Sequence, residues 1–211
     1  MNRINHTQII VLAVAILTGF YVTACAKKTL IVEYHNLTAE VQPSGRQTTF
    51  PVTLLIGPVR VSSFLGMGPI VKQKSLHSAT LLEQHQWAGN LDEMLLQTLT
   101  QNLISKLGSE KIYPYPDNNS VTGIRLTISF FHFEEDDTGK ALLQARWQLI
   151  NNADQSVLYS STLTKTKKPE NSDYDALAKA LSQNLADLCR EIAEKLIHMQ
   201  YSLQPTDETL K

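Results

Sequence analysis

The sequence predicts an α+β fold: a single domain with a mainly antiparallel sheet and two amphipathic helices packed on one face. Three observations lead there. Three alternating apolar and polar segments run from Ile124 to Lys165, separated by short polar turns. Leucines recur at helical spacing before Gly108 and again after Ser172. A group of shorter strand-like segments, broken by glycine and proline, precedes the first leucine-rich stretch.

In chain order, "TLIVEYHNL" (Thr29 to Leu37) is the first strand candidate, and the polar stretch around Pro43, Ser44 and Gly45 is a loop. In "FPVTLLIGPVRVSSFL" the apolar side chains of Val52, Leu54 and Ile56 alternate, and Pro58 confines that strand to an edge or a break. Gly66 and Gly68 give the next connection freedom and Pro69 kinks it; short strands follow around Ile70 to Gln73 and Ser78 to Leu82. The first helix has clear punctuation. Asn90 stands at the N-cap with Glu93 three residues on, Leu91, Leu95, Leu99 and Leu103 line one face, and Gly108 closes it. "KIYPYPD" introduces a strand and a turn.

Ile124, Leu126, Ile128 and Phe130 then share one strand face, as do Ala141, Leu143, Ala145, Trp147 and Leu149 in the next. With Val157 to Lys165 they form a meander. The last helix starts near Ser172, with Asp175 as its capping-box partner, and carries Leu177, Leu181, Leu185, Leu188, Ile192 and Leu196. The tail beyond Tyr201 reads as disordered.

The N-terminal stretch sets the compartment. Arg3 precedes an apolar run from Ile9 to Ala24, shorter than the roughly 20 residues a spanning helix needs, which ends in small residues. This is the pattern of a secretory signal. The alternatives are a membrane anchor or an ordinary signal beside a chance cysteine. "VTAC" (Val22 to Cys25) resembles the lipobox of bacterial lipoproteins, in which the signal is cut before a cysteine that then carries lipid. The resemblance implies loss of residues 1–24 and a covalent lipid on Cys25. Ala26, rather than aspartate, after the cysteine resembles an outer-membrane sorting signal.

Loss of the first 24 of 211 residues leaves 187, one domain's worth. The 18 basic residues that remain after removal of Arg3 face 20 acidic ones, so no basic field points to nucleic acid. With Cys25 lipidated, Cys189 is the one remaining thiol. Its place beside Leu185 and Leu188 makes it a small core residue.

The sequence presents no set of catalytic or metal-binding residues. His6, His35, His77, His85, His132 and His198 include no pair at helical metal-site spacing. His132 falls on the apolar parity of its strand, as a hydrogen-bonded core or rim histidine. Glu134 to Asp137 lack the spaced ligands and glycine of a calcium loop and read as an acidic hairpin turn. Gly66 and Gly68 form no phosphate-binding fingerprint, and the Ser62–Ser63 pair has no visible base. Phe64, Leu65 and Met67 cluster just outside a strand. They either pack inward or form a mobile apolar edge for a lipid, a membrane or another subunit.

"LLIGPVRVSSFLGMGPIV", "QWAGNLDEMLLQTLTQNL" and "IYPYP", in this order and spacing, resemble the PqiC/YmbA-type auxiliary lipoproteins of ABC-type transport systems. "VEYHNL" resembles that family's aromatic strand after the lipobox, and the resemblance covers nearly the whole mature chain. It implies a non-enzymatic docking or exit component on the periplasmic face of a bacterial outer membrane, without a cofactor beyond the lipid. The partners it implies are a tunnel protein of mammalian-cell-entry (MCE) type, inner-membrane transporter components that move lipid between the membranes, and further copies of the chain in a ring. The alternative is a structural or assembly lipoprotein of the envelope that does not itself transport lipid.

On this reading residues 1–24 are signal, 25–50 the lipidated N-terminus with the first strand and spacer, 51–201 the auxiliary domain and 202–211 a tail. Phe64, Leu65, Met67 and Trp87 are the candidate contacts to partner or lipid. The family commonly has Asp-Arg where this chain has Gly66, Met67 and Gly68, and often Arg-Trp-Ala-Glu-Pro-Leu where it reads Gln86 to Leu91. Charge is missing from both segments together. The expectation is that they are neighbours, exchanging ion pairs in relatives and making a looser apolar contact here.

Overall fold

The computed structural model describes residues 31–40, 50–116 and 122–203. Its elements are strand β1 (Glu33–His35), β2 (Leu54–Val61), a single 3₁₀ turn (Leu65–Met67), β3 (Pro69–Ser75), β4 (Ser78–Trp87), helix α1 (Leu91–Leu107), β5 (Ile112–Pro114), β6 (Ile124–Glu135), β7 (Ala141–Asn151), β8 (Val157–Lys167) and helix α2 (Tyr174–Leu203). They form one α+β unit with eight strands in one open sheet among the described residues. The antiparallel ladders hold most of the paired residues, as the sequence predicts.

The sheet is built around β6. One edge takes β7 antiparallel from Ile124↔Asn151 to Glu135↔Ala141, and β8 continues beyond it. The other edge serves two neighbours in succession: β2 runs parallel to it from Ile124 to Phe130, and β3 meets it at Lys72↔Glu135. β5 extends the sheet beyond β2, and the β3–β4 hairpin carries β1 as a parallel outer strand.

The meander forms because alternation runs over long segments: in β6 from Ile124 to Phe130, and in β7, where every second residue from Ala141 to Leu149 is fully buried. β2 is an interior strand, paired on both sides, so Pro58 does not mark an edge. It marks the break. The β6 register shifts between Ile56 and Val59, and β5 pairing ends at Ile56, so the missing proline N–H lies outside both ladders. At the entry to β6, Gly123 has φ +135, and a Cβ there would stand 2.6 Å from the Thr53 carbonyl oxygen. That approach requires glycine.

Helix α1 places Leu91, Leu95, Leu99, Leu103 and Leu107 in the core, beside α2 and over β2 and β5. Gly108 ends it in the left-handed conformation, its N–H donating to the Ile104 carbonyl. Asn90 opens the helix with its carbonyl, which accepts from the Met94 N–H, and makes no side-chain cap. In α2 the cap is Asp173 rather than Ser172: its carboxylate accepts from the Ala176 N–H at 2.7 Å. The helix runs to Leu203, two residues past the expected end at Tyr201; residues 204–211 lie outside the described residues.

The stretch read as spacer is partly fastened to the domain. Thr38 N–H donates to Ser182 Oγ, Glu40 N–H donates to the buried Asn102 side chain, and Phe50 is buried, with its N–H on the Leu107 carbonyl. Residues 41–49 are outside the described residues. Buried Asn184 also joins helix to sheet, donating to the Ala141 carbonyl at 2.9 Å.

Two predictions follow from this architecture. Leu99→Ala, at a fully buried site, lowers unfolding free energy by about 2–5 kcal/mol in urea titration; a loss under about 1 kcal/mol contradicts the packing described. The β6–β7 turn is held by Asp136, whose Oδ1 accepts from Lys140 N–H, Thr138 Oγ–H and Thr138 N–H. Burial opposes ionisation of this carboxyl, but the Lys140 and Thr138 bonds outweigh it and hold the pKa below the ordinary aspartate range. Its stabilisation is therefore present above the unfolded pKa of about 4 and is lost as pH falls through the lower folded value. The stability gap between wild type and Asp136→Ala should close over that acid range in pH-dependent urea melts; a pH-independent gap contradicts it.

Candidate functional site

The chain between β2 and β3 divides the predicted contact residues. Ser62 anchors it: its N–H donates to the Phe130 carbonyl, and its own carbonyl accepts from the Leu65 and Gly66 N–H groups, drawing the 3₁₀ turn tight. Leu65 is thereby buried in the core, whereas Phe64 is 38% and Met67 62% exposed. Gly68, at φ +106, turns the chain into β3, a conformation that L side chains rarely adopt. Its carbonyl accepts from Trp87 N–H at 2.9 Å, and Pro69 pairs with Gln86. The two segments expected to be neighbours, Phe64 to Gly68 and Gln86 to Asn90, are therefore in direct contact. Trp87 is buried, its ring 5.8 Å from that of Phe133, so Leu65 and Trp87 are core residues rather than contact residues.

Phe64 instead joins two residues that the sequence did not single out. It lines a shallow depression of about 290 Å³ with Leu76 and Phe131, bordered by Ser62, His77 and His132. Leu76 sits at the tip of the β3–β4 hairpin and is 87% exposed. Phe131 faces outward because of a bulge in β6 between Phe130 and His132, which sends Phe133 rather than His132 into the core. His132 is accordingly a rim residue, its Nδ1 2.7 Å from the Glu134 carboxylate. Met67 does not line this depression.

The signals that could have found the missed residues are weak. A leucine at the tip of a tight hairpin is out of place for folding alone, and "FFHF" interrupts strict alternation.

A second, more polar crevice of about 400 Å³ lies between Lys72, Glu135 and the residues leading into α2. Its titratable centre is occupied by an ion pair: Lys72 Nζ donates to Glu135 Oε1 at 2.7 Å, and this bond holds the lysine pKa above its ordinary value despite partial burial. A lysine kept charged in this way is a poor nucleophile. Cys189 is fully buried, and burial pushes its thiol up to about 12. Residues 1–30, which include the expected signal and Cys25, lie outside the described residues. Among the described residues no helix is long and apolar enough to cross a membrane.

The domain is thus of α+β class, with an apolar depression at one sheet end and a polar crevice whose Lys72 is engaged in an ion pair. Two solved structures share the fold. Protein XCC0632 from Xanthomonas campestris matches with a TM-score of 0.69 at 20% identity, over 82% of this chain and 98% of that one. An uncharacterised protein matches with a TM-score of 0.66 at 21% identity, over 79% and 99%. A family model described as the ABC-type transport auxiliary lipoprotein component matches residues 35–193, and the chain belongs to that family. It is 25% identical over 183 residues to the "Intermembrane transport lipoprotein PqiC" of Escherichia coli strain K12, covering 83% of this chain and 94% of that protein. The family is thus one of auxiliary transport components, as the sequence motifs indicate.

The burial of Cys189 generates a prediction. In the folded protein it should resist a maleimide reagent at neutral pH and react fully after denaturation; rapid labelling of the native state contradicts its place in the core.

Proposed function

We propose that this protein is a lipid-anchored lipoprotein on the periplasmic face of a bacterial outer membrane. There it acts as a non-enzymatic docking component of an MCE-type transport system that moves lipids between the inner and outer membranes. The observation that carries the reading is the near end-to-end similarity to a protein named as an intermembrane transport lipoprotein, 94% of which is covered. The lipobox-like "VTAC" supports it by giving Cys25 as the point of lipid attachment.

The contact surface follows from the exposed apolar residues. Phe64, Leu76 and Phe131 surround one depression and supply the dehydratable area a docking site needs, and Met67 is available beyond it. Leu76 is the best placed to be a lever, because its side chain is nearly all in solvent and its removal costs the fold little.

Two measurements test this. Mass spectrometry of the mature protein from its native host should show an N-terminus at Cys25 carrying lipid, and Cys25→Ser should leave the membrane fraction; an unmodified Cys25 overturns the anchor. After crosslinking in cells, the wild type should recover an MCE-domain tunnel protein, and Leu76→Asp should reduce that recovery several-fold with its melting temperature unchanged. Recovery of cell-wall or outer-membrane assembly proteins alone would assign the chain a structural role in the envelope instead.

A further inference from the structure

The parallel pairing of β1 with β4 brings together side chains that lie fifty residues apart in sequence. Glu33 is in register with His85, and His35, two residues along, shares the same face of β1. His35 Nε2 stands 3.2 Å from His85 Nδ1, and that same His85 nitrogen is 3.4 Å from Glu33 Oε2. One ligand atom from each of the three residues falls within 4.8 Å of the others.

His35 is 5% exposed, its Nδ1 has no hydrogen-bond partner, and the Asp175 carboxylate stands 3.6 Å from that nitrogen. His35 Nε2, His85 Nδ1 and a Glu33 carboxylate oxygen are thus three ligand-type atoms gathered in one place. The Tyr174 ring packs on the His85 ring with centroids 4.1 Å apart, restricting its rotation.

We propose that Glu33, His35 and His85 form a binding site for Zn²⁺. At zinc–nitrogen distances of about 2.0–2.1 Å, two ligands of a tetrahedral ion stand about 3.3–3.4 Å apart. The two short separations in the cluster, 3.2 and 3.4 Å, already have that spacing. Two imidazoles and a carboxylate are the nitrogen and oxygen donors zinc accepts, and a fourth position stays open to solvent beside the exposed Glu33. Asp175, 3.6 Å from His35 Nδ1, stands on the far side of that ring, where a short movement of its exposed side chain would make it an outer partner of the site. The site has a structural consequence. β1 has only a three-residue ladder, and a metal shared with His85 would cross-link this outer strand to β4.

The test uses the mature lipoprotein in detergent, stripped with a chelator and desalted. Titration calorimetry with Zn²⁺ should saturate at one equivalent, and Co²⁺ should give the visible absorption of a tetrahedral nitrogen and oxygen site. Loss of an outer partner alone typically weakens metal sites about ten- to hundredfold, so loss of a ligand in His85→Gln or Glu33→Gln should weaken binding at least about tenfold. Zinc should raise the melting temperature of the wild type more than that of either variant. Glu33 is largely exposed and His85 partly so, and unchanged circular dichroism of the variants confirms their folding. Absence of one-equivalent saturation in the wild type, or equal affinity in folded His85→Gln and Glu33→Gln, overturns the proposal.

Discussion

Most of this structure depends on how β6 shares its edges. On one side it holds β7 along nearly its whole length; on the other it pairs first with β2 and then, at its far end, with β3. The chain can leave one neighbour and enter the next because β2 stops at Val61 and the 3₁₀ turn fills the interval. The bulge between Phe130 and His132 lies in that same interval. It changes the parity of the strand, keeps Phe133 in the core, and turns Phe131 to the surface beside Phe64. The apolar depression is therefore a product of strand pairing, made where two partners meet on one edge.

With Cys189 buried as a free thiol, packing and a few buried polar ties must hold the domain. The helices supply a continuous apolar layer. Asn102, Ser182 and Asn184 extend from it to backbone groups that lie outside their own helices. Such bonds matter most where regular pairing ends, since an unpaired buried amide is costly. They fasten Thr38 and Glu40, which follow the short strand β1, to the helical layer. The N-terminal segment consequently enters the domain as an integrated element from β1 onward.

What was legible in the sequence was local. Alternation from Ile124 to Phe130 and from Ala141 to Leu149 revealed the meander, and leucine spacing with Gly108 revealed α1, because each signal is complete within its own segment. The same reasoning failed where the determining partner is distant. Pro58 suggested an edge or a break, and only the double pairing of β2 decides for the break. Phe64, Leu65 and Met67 read as one apolar cluster, but Ser62 closes a turn that buries the second and exposes the others. His35 and His85 have no meaningful spacing in sequence; a parallel register makes them neighbours. Leu76 and Phe131 belong to one surface for the same nonlocal reason.

The β2–β3 connection and the end of β4 carry no charged residue from Phe64 to Gly68 or from Gln86 to Asn90. These segments touch through the Gly68–Trp87 backbone bond, with Leu65 and Trp87 both in the common core behind it. An ion pair at such a junction would be partly desolvated and would gain little over a well-packed apolar pair. The junction holds without charge, because the hydrogen bond and the buried side chains retain the register. On its outer face the junction presents Met67, which is largely exposed. On the docking role proposed above, recognition at that end of the sheet would rest on shape and dehydration more than on charge, which would weaken its dependence on ionic strength and leave partner choice to the fit of a few apolar side chains.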